Sequence, residues 1–223
     1  MVNHFLVIIA FVLTSCVNNQ SFNSTTNAEN RTTEIERDSV PTNQNFEDKL
    51  SDAAISLTKD KVQYDPAYLS LKYPNGDVPA DKGVCTDVII RAYRKLGIDL
   101  QKEVHEDMQD NFEAYPKNWH LRKTDTNIDH RRVPNLMTFF TRKGEKKTVT
   151  NDPENYHYGD IVTWDVSSNL PHVGILINQK SADKKRYLVV HNVGRGQEIS
   201  DCLFAYTLTG HFVFRGNTKR LRY

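Results

Sequence analysis

The stretch DKGVCTDVIIRAYRKLGI (residues 81–98) decides the fold, because it places a cysteine at the start of an amphipathic helix. Its apolar residues recur at helical spacing, and Gly97 stands where a helix commonly ends. The apolar face comprises Cys85, Val88, Ile89, Ala92, Tyr93 and Leu96. The thiol of Cys85 has three possible roles: a buried structural thiol, half of a disulfide with Cys202, or a nucleophile. A helix N-terminus can lower a thiol pKa, which favours the nucleophile.

The flanking patterns predict an α+β domain. Apolar residues at helical spacing predict a helix from Phe46 to Leu57, and a third helix is expected over residues 100–115. Residues 116–150 are basic and predicted to be irregular. Strand-like alternation follows in residues 160–165, 172–178, 186–193 and 211–215. Helices followed by strands indicate helices packed on an antiparallel sheet.

Charge and length limit the function classes. The chain has 223 residues, with 29 Lys and Arg against 28 Asp and Glu. A net charge of +1 gives no overall attraction to nucleic acid, so we expect no nucleic-acid partner. The length favours one main domain, which we expect to be monomeric.

The N-terminus predicts export. FLVIIAFVL (residues 5–13) is too short to span a bilayer but suits a signal peptide. It leads into Leu13-Thr14-Ser15-Cys16, which resembles a bacterial lipobox. We therefore predict a lipoprotein signal peptide at 1–15, lipidation of Cys16, a flexible tether over 16–45 and a folded domain over 46–223. The protein would be anchored in the bacterial cell envelope, at the periplasmic face of a membrane. An ordinary cleaved signal peptide or an uncleaved anchor would also place the domain outside the cytoplasm.

Two histidines are candidates to activate the thiol. A thiol nucleophile needs an imidazole base, and the base needs an orienting acceptor. His172 opens one predicted strand and His191 lies in the next. Adjacent antiparallel strands would place the two rings side by side, with His191 or Asn192 holding His172.

The order of these motifs resembles the NlpC-type cell-wall cysteine peptidases of the papain-like superfamily. The matching pieces are the helix-opening cysteine, YGDIVTWD (residues 158–165), PHVGILI (171–177) and VVHN (189–192). The resemblance implies a papain-like core, no metal or cofactor, and cleavage of an amide bond in peptidoglycan stem peptides. It assigns Cys85 as the nucleophile, His172 as the general base and His191 as the third, orienting residue.

The chain departs from that family at two places. Val84-Cys85-Thr86-Asp87 stands where the family usually has Asp-Cys-Ser-Gly, and the block NIDHRRVPNLMTFFTRKG (127–144) has no counterpart in the minimal core. With YPNGDVP (73–79) and GVCTDVIIRAYR (83–94), this block is similar to a bacterial family known only as a domain of unknown function and grouped with the NlpC-type peptidases.

Five residues are predicted to bind substrate. Tyr73 and Asp77 precede the nucleophile closely in sequence, and Asp87 follows it by two residues. Arg131 and Arg132 are suited to grip the carboxylates of a stem peptide. The remaining histidines lack metal-ligand spacing, so no metal site is predicted.

Three functions remain open from the sequence. The first is a cysteine hydrolase acting on peptidoglycan peptides through a Cys-His-His triad. The second is a catalytically silent cell-wall-binding module of the same fold. The third is an acyltransferase of the same superfamily.

Overall fold

The computed structural model describes residues 44–216. The predicted signal peptide, the lipidation site Cys16 and nearly all of the tether lie outside these residues. Within residues 44–216, no helix is both long enough and apolar enough to cross a membrane.

In the described part of the chain, four α-helices precede the main strands: α1 Phe46–Leu57, α2 Cys85–Lys95, α3 Leu100–Asp110 and α4 Val133–Lys143. The Asn45 side chain accepts a hydrogen bond from the Asp48 N–H and so starts α1. After α2, Gly97 adopts a φ of 80°, the left-handed conformation that suits glycine beyond a helix end. The helix that begins at Leu100 is shorter than predicted, since a separate 3₁₀ turn, Phe112–Ala114, follows it.

Six strands form one antiparallel sheet in the order β3-β8-β4-β5-β6-β7. Their bounds are β3 Glu145–Lys146, β4 Ile161–Asp165, β5 Pro171–Lys180, β6 Tyr187–His191, β7 Glu198–Ser200 and β8 Thr207–Val213. A separate parallel pair, β1 Gln63–Tyr64 and β2 Lys82–Gly83, leads the chain into α2. The prediction of helices with an antiparallel sheet is confirmed.

The sheet carries a different core on each face. Alternate residues of a strand point to opposite faces. Val173 and Ile175 of β5 pack with the helices in one core. Trp164 of β4 and Leu176 of β5 belong to the second core, together with Cys202. Helices α1 and α2 both pack against β5, so the central strand runs beneath the helix that carries Cys85.

The prediction that residues 116–150 are irregular is wrong, because α4 lies within them. Leu136, Phe139 and Phe140 recur at helical spacing and are fully buried. Arg142 and Lys143, at the end of the same helix, pair with the buried carboxylate of Asp107. Part of the basic charge therefore fastens α4 to α3.

Candidate functional site

Cys85 is the first residue of α2 and is 6% exposed. The carboxylate of Asp87 accepts a hydrogen bond from the Val84 N–H at 2.7 Å, which caps the helix from inside its first turn. Backbone N–H groups of Val173, Thr86 and Cys85 itself interact with the thiol. The thiol therefore lies against the backbone of β5, at the residue that follows His172.

The pKa of Cys85 departs from the expectation for a helix N-terminus. Burial raises the pKa of the thiol to about 12, and the Asp87 carboxylate adds to the rise. The backbone N–H groups lower it, but they do not offset the cost of burying a thiolate. A helix start can lower a thiol pKa, but here burial has the larger effect, because the cysteine is also covered by protein.

The two candidate histidines are in direct contact. His172 Nε2 and His191 Nδ1 lie 2.8 Å apart, and the two rings meet edge to face. The Asn192 side chain has other partners: it donates to the Gly83 carbonyl and accepts from backbone N–H groups of the loop after it. Of the two alternatives for the residue that holds His172, the structure places His191 there. Asn192 instead links the loop after β6 to Gly83, which lies two residues before Cys85.

A second layer of polar groups lies behind His191. Its Nε2 is 2.5 Å from the Ser200 hydroxyl, 3.7 Å from the Cys202 thiol and 3.9 Å from a Glu198 carboxylate oxygen. All three residues lie on or next to β7, a short strand that pairs with β6. Strand β7 lies between the predicted strands and was not expected from the sequence, which suggested Cys202 only as a disulfide partner of Cys85. Three residues are too few to show a strand period, so only the pairing with β6 brings them to the histidine.

Burial keeps the histidine pair neutral. It lowers the pKa of His172 to about 3, with His191 adding to the fall, and it also lowers the pKa of His191. Both rings are therefore uncharged near neutral pH. Since His172 Nε2 contacts His191, its Nδ1 is the nitrogen left to accept a proton.

The thiol and the histidine pair approach the start of β5 from opposite faces. His172 is opposite Trp164 of β4, with ring centroids 5.8 Å apart, on the face of the second core. Cys85 packs with the helix-side core. Within residues 44–216 no hydrogen bond joins the Cys85 thiol to a histidine ring. Cys85 and Cys202 are both free thiols, and their separation by the sheet explains why they are not bridged.

Cys85 lines a cleft of about 320 Å³. One wall comes from the loop before α4 and the other from the turn before β5. The lining residues are Tyr64, Pro66, Val84, Cys85, Trp119, Ile128, Arg131, Arg132, Val133, Pro134, Leu170 and Pro171. Tyr64 and Trp119 had no sequence signal, since one lies on a two-residue strand and the other in an irregular loop.

Arg131 is occupied by protein partners. Its guanidinium makes two 3.0 Å hydrogen bonds to the Asp87 carboxylate and a third bond to the Ala67 carbonyl. Both side chains of this ion pair are almost fully buried. The structure therefore uses Asp87 and Arg131 to fix the start of α2, and it leaves neither charge free for a ligand.

Tyr73 and Asp77, two predicted substrate-binding residues, do not line the cleft. The Tyr73 ring packs edge to face against His105. The Asp77 carboxylate pairs with Arg91 and Arg94 of α2. Of the five residues predicted to bind substrate, only Arg131 and Arg132 line the cleft with Cys85.

Comparison with known proteins places most of the described domain in one family. The model of a domain of unknown function, DUF1287, matches residues 51–214. The chain belongs to the DUF1287 family. The uncharacterized protein YijF of Escherichia coli (strain K12) is 45% identical over 163 residues, covering 73% of this chain and 79% of YijF. Every DUF1287 residue named at the site, from Tyr64 to Cys202, lies inside the matched region. Within residues 44–216 this DUF1287 domain holds no cluster of three His, Cys, Asp or Glu side chains arranged for a metal.

Proposed function

We propose that this protein is a papain-like cysteine hydrolase of the NlpC type, cleaving an amide bond in peptidoglycan peptides at the bacterial cell envelope. The observation that carries the proposal is the joint placement of Cys85 and the histidine pair. The thiol opens a helix, lines a cleft and lies at the backbone of β5, where His172 is held by His191 at 2.8 Å. Cys16 would anchor the enzyme to the membrane.

The chemistry uses a neutral thiol and a neutral imidazole. The Cys85 sulfur attacks the substrate carbonyl while its proton passes to His172 Nδ1. The backbone N–H of Cys85 would stabilise the resulting oxyanion. The carbon–nitrogen bond then breaks, and His172 gives the proton to the leaving amine. Water, deprotonated by His172, attacks the thioester; the acid leaves, and the proton returns to the thiol.

The direction of proton transfer sets the tautomers of the histidine pair. If His172 Nδ1 accepts a proton, its Nε2 carries hydrogen and donates to His191 Nδ1. His191 Nε2 then carries hydrogen and donates to the Ser200 hydroxyl. Ser200 thus holds the second ring in the tautomer that can support the first. The thiol must come within reach of His172, and catalytic hydrogen bonds are often long before substrate binds.

One set of observations favours a second function, a silent cell-wall-binding module. The thiol is nearly covered, burial raises its pKa to about 12, and it makes no hydrogen bond to a histidine. A module of this kind would bind sacculi and leave the muropeptide profile unchanged. An acyltransferase of the same superfamily would use the same residues but transfer the acyl group to an acceptor other than water.

Mass spectrometry of muropeptides separates these functions and locates the cleaved bond. Wild type is expected to release amide-cleavage fragments, and Cys85→Ala to lose more than about a thousandfold of that activity. Cys202→Ala is the comparison variant, because it removes a buried thiol that contacts His191 but does not line the cleft, and it should lose far less activity than Cys85→Ala. Equal product from wild type and Cys85→Ala would refute the hydrolase, and a mass increase from an acceptor would indicate transfer.

A further inference from the structure

Within residues 44–216, Arg132 differs from its neighbour Arg131 in having no carboxylate at ion-pair distance. Its carbonyl accepts hydrogen bonds from the Asn135 and Leu136 N–H groups, but among the described residues its guanidinium has no hydrogen-bond partner, and its Nη1 is buried without an acceptor. A buried guanidinium N–H without a partner is costly, and native proteins rarely leave one. Arg131, in contrast, is saturated by Asp87 and Ala67. The cleft therefore presents one positive charge that no carboxylate of residues 44–216 pairs with directly.

Trp119 holds this charge at the cleft wall. The Arg132 guanidinium lies over the Trp119 ring, with its carbon 4.4 Å from the ring centroid. The indole is 53% exposed, and its backbone adopts a φ of 62°, a left-handed conformation that is unfavourable for a bulky residue. Stacking on an indole orients a guanidinium and leaves its N–H edge available for a planar, bidentate acceptor.

Asp129 and Asp125 attract the Arg132 charge only from a distance: they raise the pKa of its guanidinium, but burial lowers that pKa by more. Asp125 accepts a hydrogen bond from the Tyr68 hydroxyl, and Asp129 from His105 and from the Asp125 N–H. Neither carboxylate lies within 4.0 Å of the guanidinium. A ligand carboxylate would supply the acceptor that the protein does not.

We propose that Arg132, stacked on Trp119, is a carboxylate subsite of the cleft, so that the substrate is an anionic peptide whose carboxylate lies close to the bond attacked by Cys85. This inference deepens the proposed function and rests on it for the identity of the peptide. The subsite excludes peptides in which that carboxylate is amidated, because an uncharged amide leaves the guanidinium desolvated and unpaired.

The test uses a stem tripeptide whose glutamate carries a free α-carboxylate, and the same tripeptide with that carboxylate amidated. Binding of each is measured by calorimetry on Cys85→Ala, which removes turnover. Trp119 fluorescence is the second readout, since the other tryptophan, Trp164, is fully buried. The acidic peptide should bind at least about tenfold more tightly, within the range for one charge-assisted pair.

Adding Arg132→Gln to Cys85→Ala should abolish that preference, whereas Arg132→Lys should keep part of it. Arg122→Gln is the matched control, because Arg122 is an exposed arginine of the same basic stretch and does not line the cleft. Equal binding of the two peptides to Cys85→Ala, a preference that survives Arg132→Gln, or no binding of either peptide would overturn the subsite.

Failure of the hydrolase proposal would look different. In that case wild type cleaves neither peptide, while Cys85→Ala still prefers the acidic one and Arg132→Gln still removes the preference. The carboxylate subsite would then belong to a binding module.

Discussion

The two cysteines within residues 44–216 lie on opposite faces of the same sheet, and they differ in their distance from a histidine and from the cleft. Cys202 has the closer histidine, with its sulfur 3.7 Å from His191 Nε2, but it packs beside Trp164 and Leu203 in the second core. Within residues 44–216 Cys85 makes no hydrogen bond to a histidine, yet it lines the cleft and interacts with backbone N–H groups at a helix start. The two cysteines are almost equally buried, so the cleft distinguishes Cys85 and the nearby imidazole distinguishes Cys202.

The interactions that hold the structure around Cys85 differ from those that hold the histidine next to Cys202. On the Cys85 side, Asp87 and Arg131 form a buried ion pair that fixes the helix start. On the Cys202 side, His191 is held by a single hydroxyl, that of Ser200, with Glu198 at longer range. The Asp87–Arg131 ion pair is costly to break because both charges are buried. The hydrogen bond between Ser200 and His191 is neutral and affects which nitrogen of the His191 ring carries hydrogen.

Breaking the Asp87–Arg131 pair should have the largest effect. Asp87→Ala leaves the Arg131 guanidinium buried without its carboxylate, so the free energy of unfolding should fall by about 3–5 kcal/mol in urea denaturation. Asp77→Ala is the control: it also removes a partner of α2 arginines, but at a partly exposed site, where the loss should be about 1 kcal/mol or less. Equal losses would show that the buried pair does not hold the helix start.

Replacing His172, the proposed general base, should have the second-largest effect. His172→Ala should reduce kcat for muropeptide cleavage by about 10²–10⁴-fold, the usual contribution of a general base. His191→Asn keeps an acceptor for His172 and should lose roughly tenfold, or about 1.4 kcal/mol. If His191→Asn were as damaging as His172→Ala, His191 would be more than an orienting residue.

The pH dependence of alkylation tests the Cys85 environment. Since burial raises the pKa of the thiol to about 12, the thiol is protonated at neutral pH. Its thiolate fraction, and hence the rate with iodoacetamide, should increase about tenfold for each pH unit between pH 7 and 9. The rate is followed by mass spectrometry in Cys202→Ala, so that only one folded-domain thiol reacts. A rate that levels off below pH 8 would instead indicate a thiolate–imidazolium pair.

The smallest effect is expected at Ser200. Ser200→Ala removes one neutral hydrogen bond to His191, worth roughly 0.5–1.5 kcal/mol, so kcat should fall only about threefold to tenfold. Ser200→Thr keeps the hydroxyl and should restore the rate together with the wild-type pH profile. A loss that Ser200→Thr fails to restore would point to altered packing of β7.

Much of the site could be predicted from the sequence because its parts are local patterns. The start of α2 at Cys85 follows from helical periodicity, and its end follows from Gly97. The pairing of His172 with His191 follows from two neighbouring strands. Helix α4 was equally available in the spacing of Leu136, Phe139 and Phe140, but the surrounding basic residues obscured it.

The sequence by itself determined which residue types occupy the helix start and the adjacent strands, since these depend on spacing along the chain. Only the tertiary structure decided that Arg131 is neutralised by Asp87 while Arg132 is not, that Ser200 and Cys202 lie behind His191, and that burial raises the pKa of Cys85. These properties depend on contacts between residues far apart in the chain and on the exclusion of water. Neither produces a repeating pattern of residues that could be recognised in the sequence.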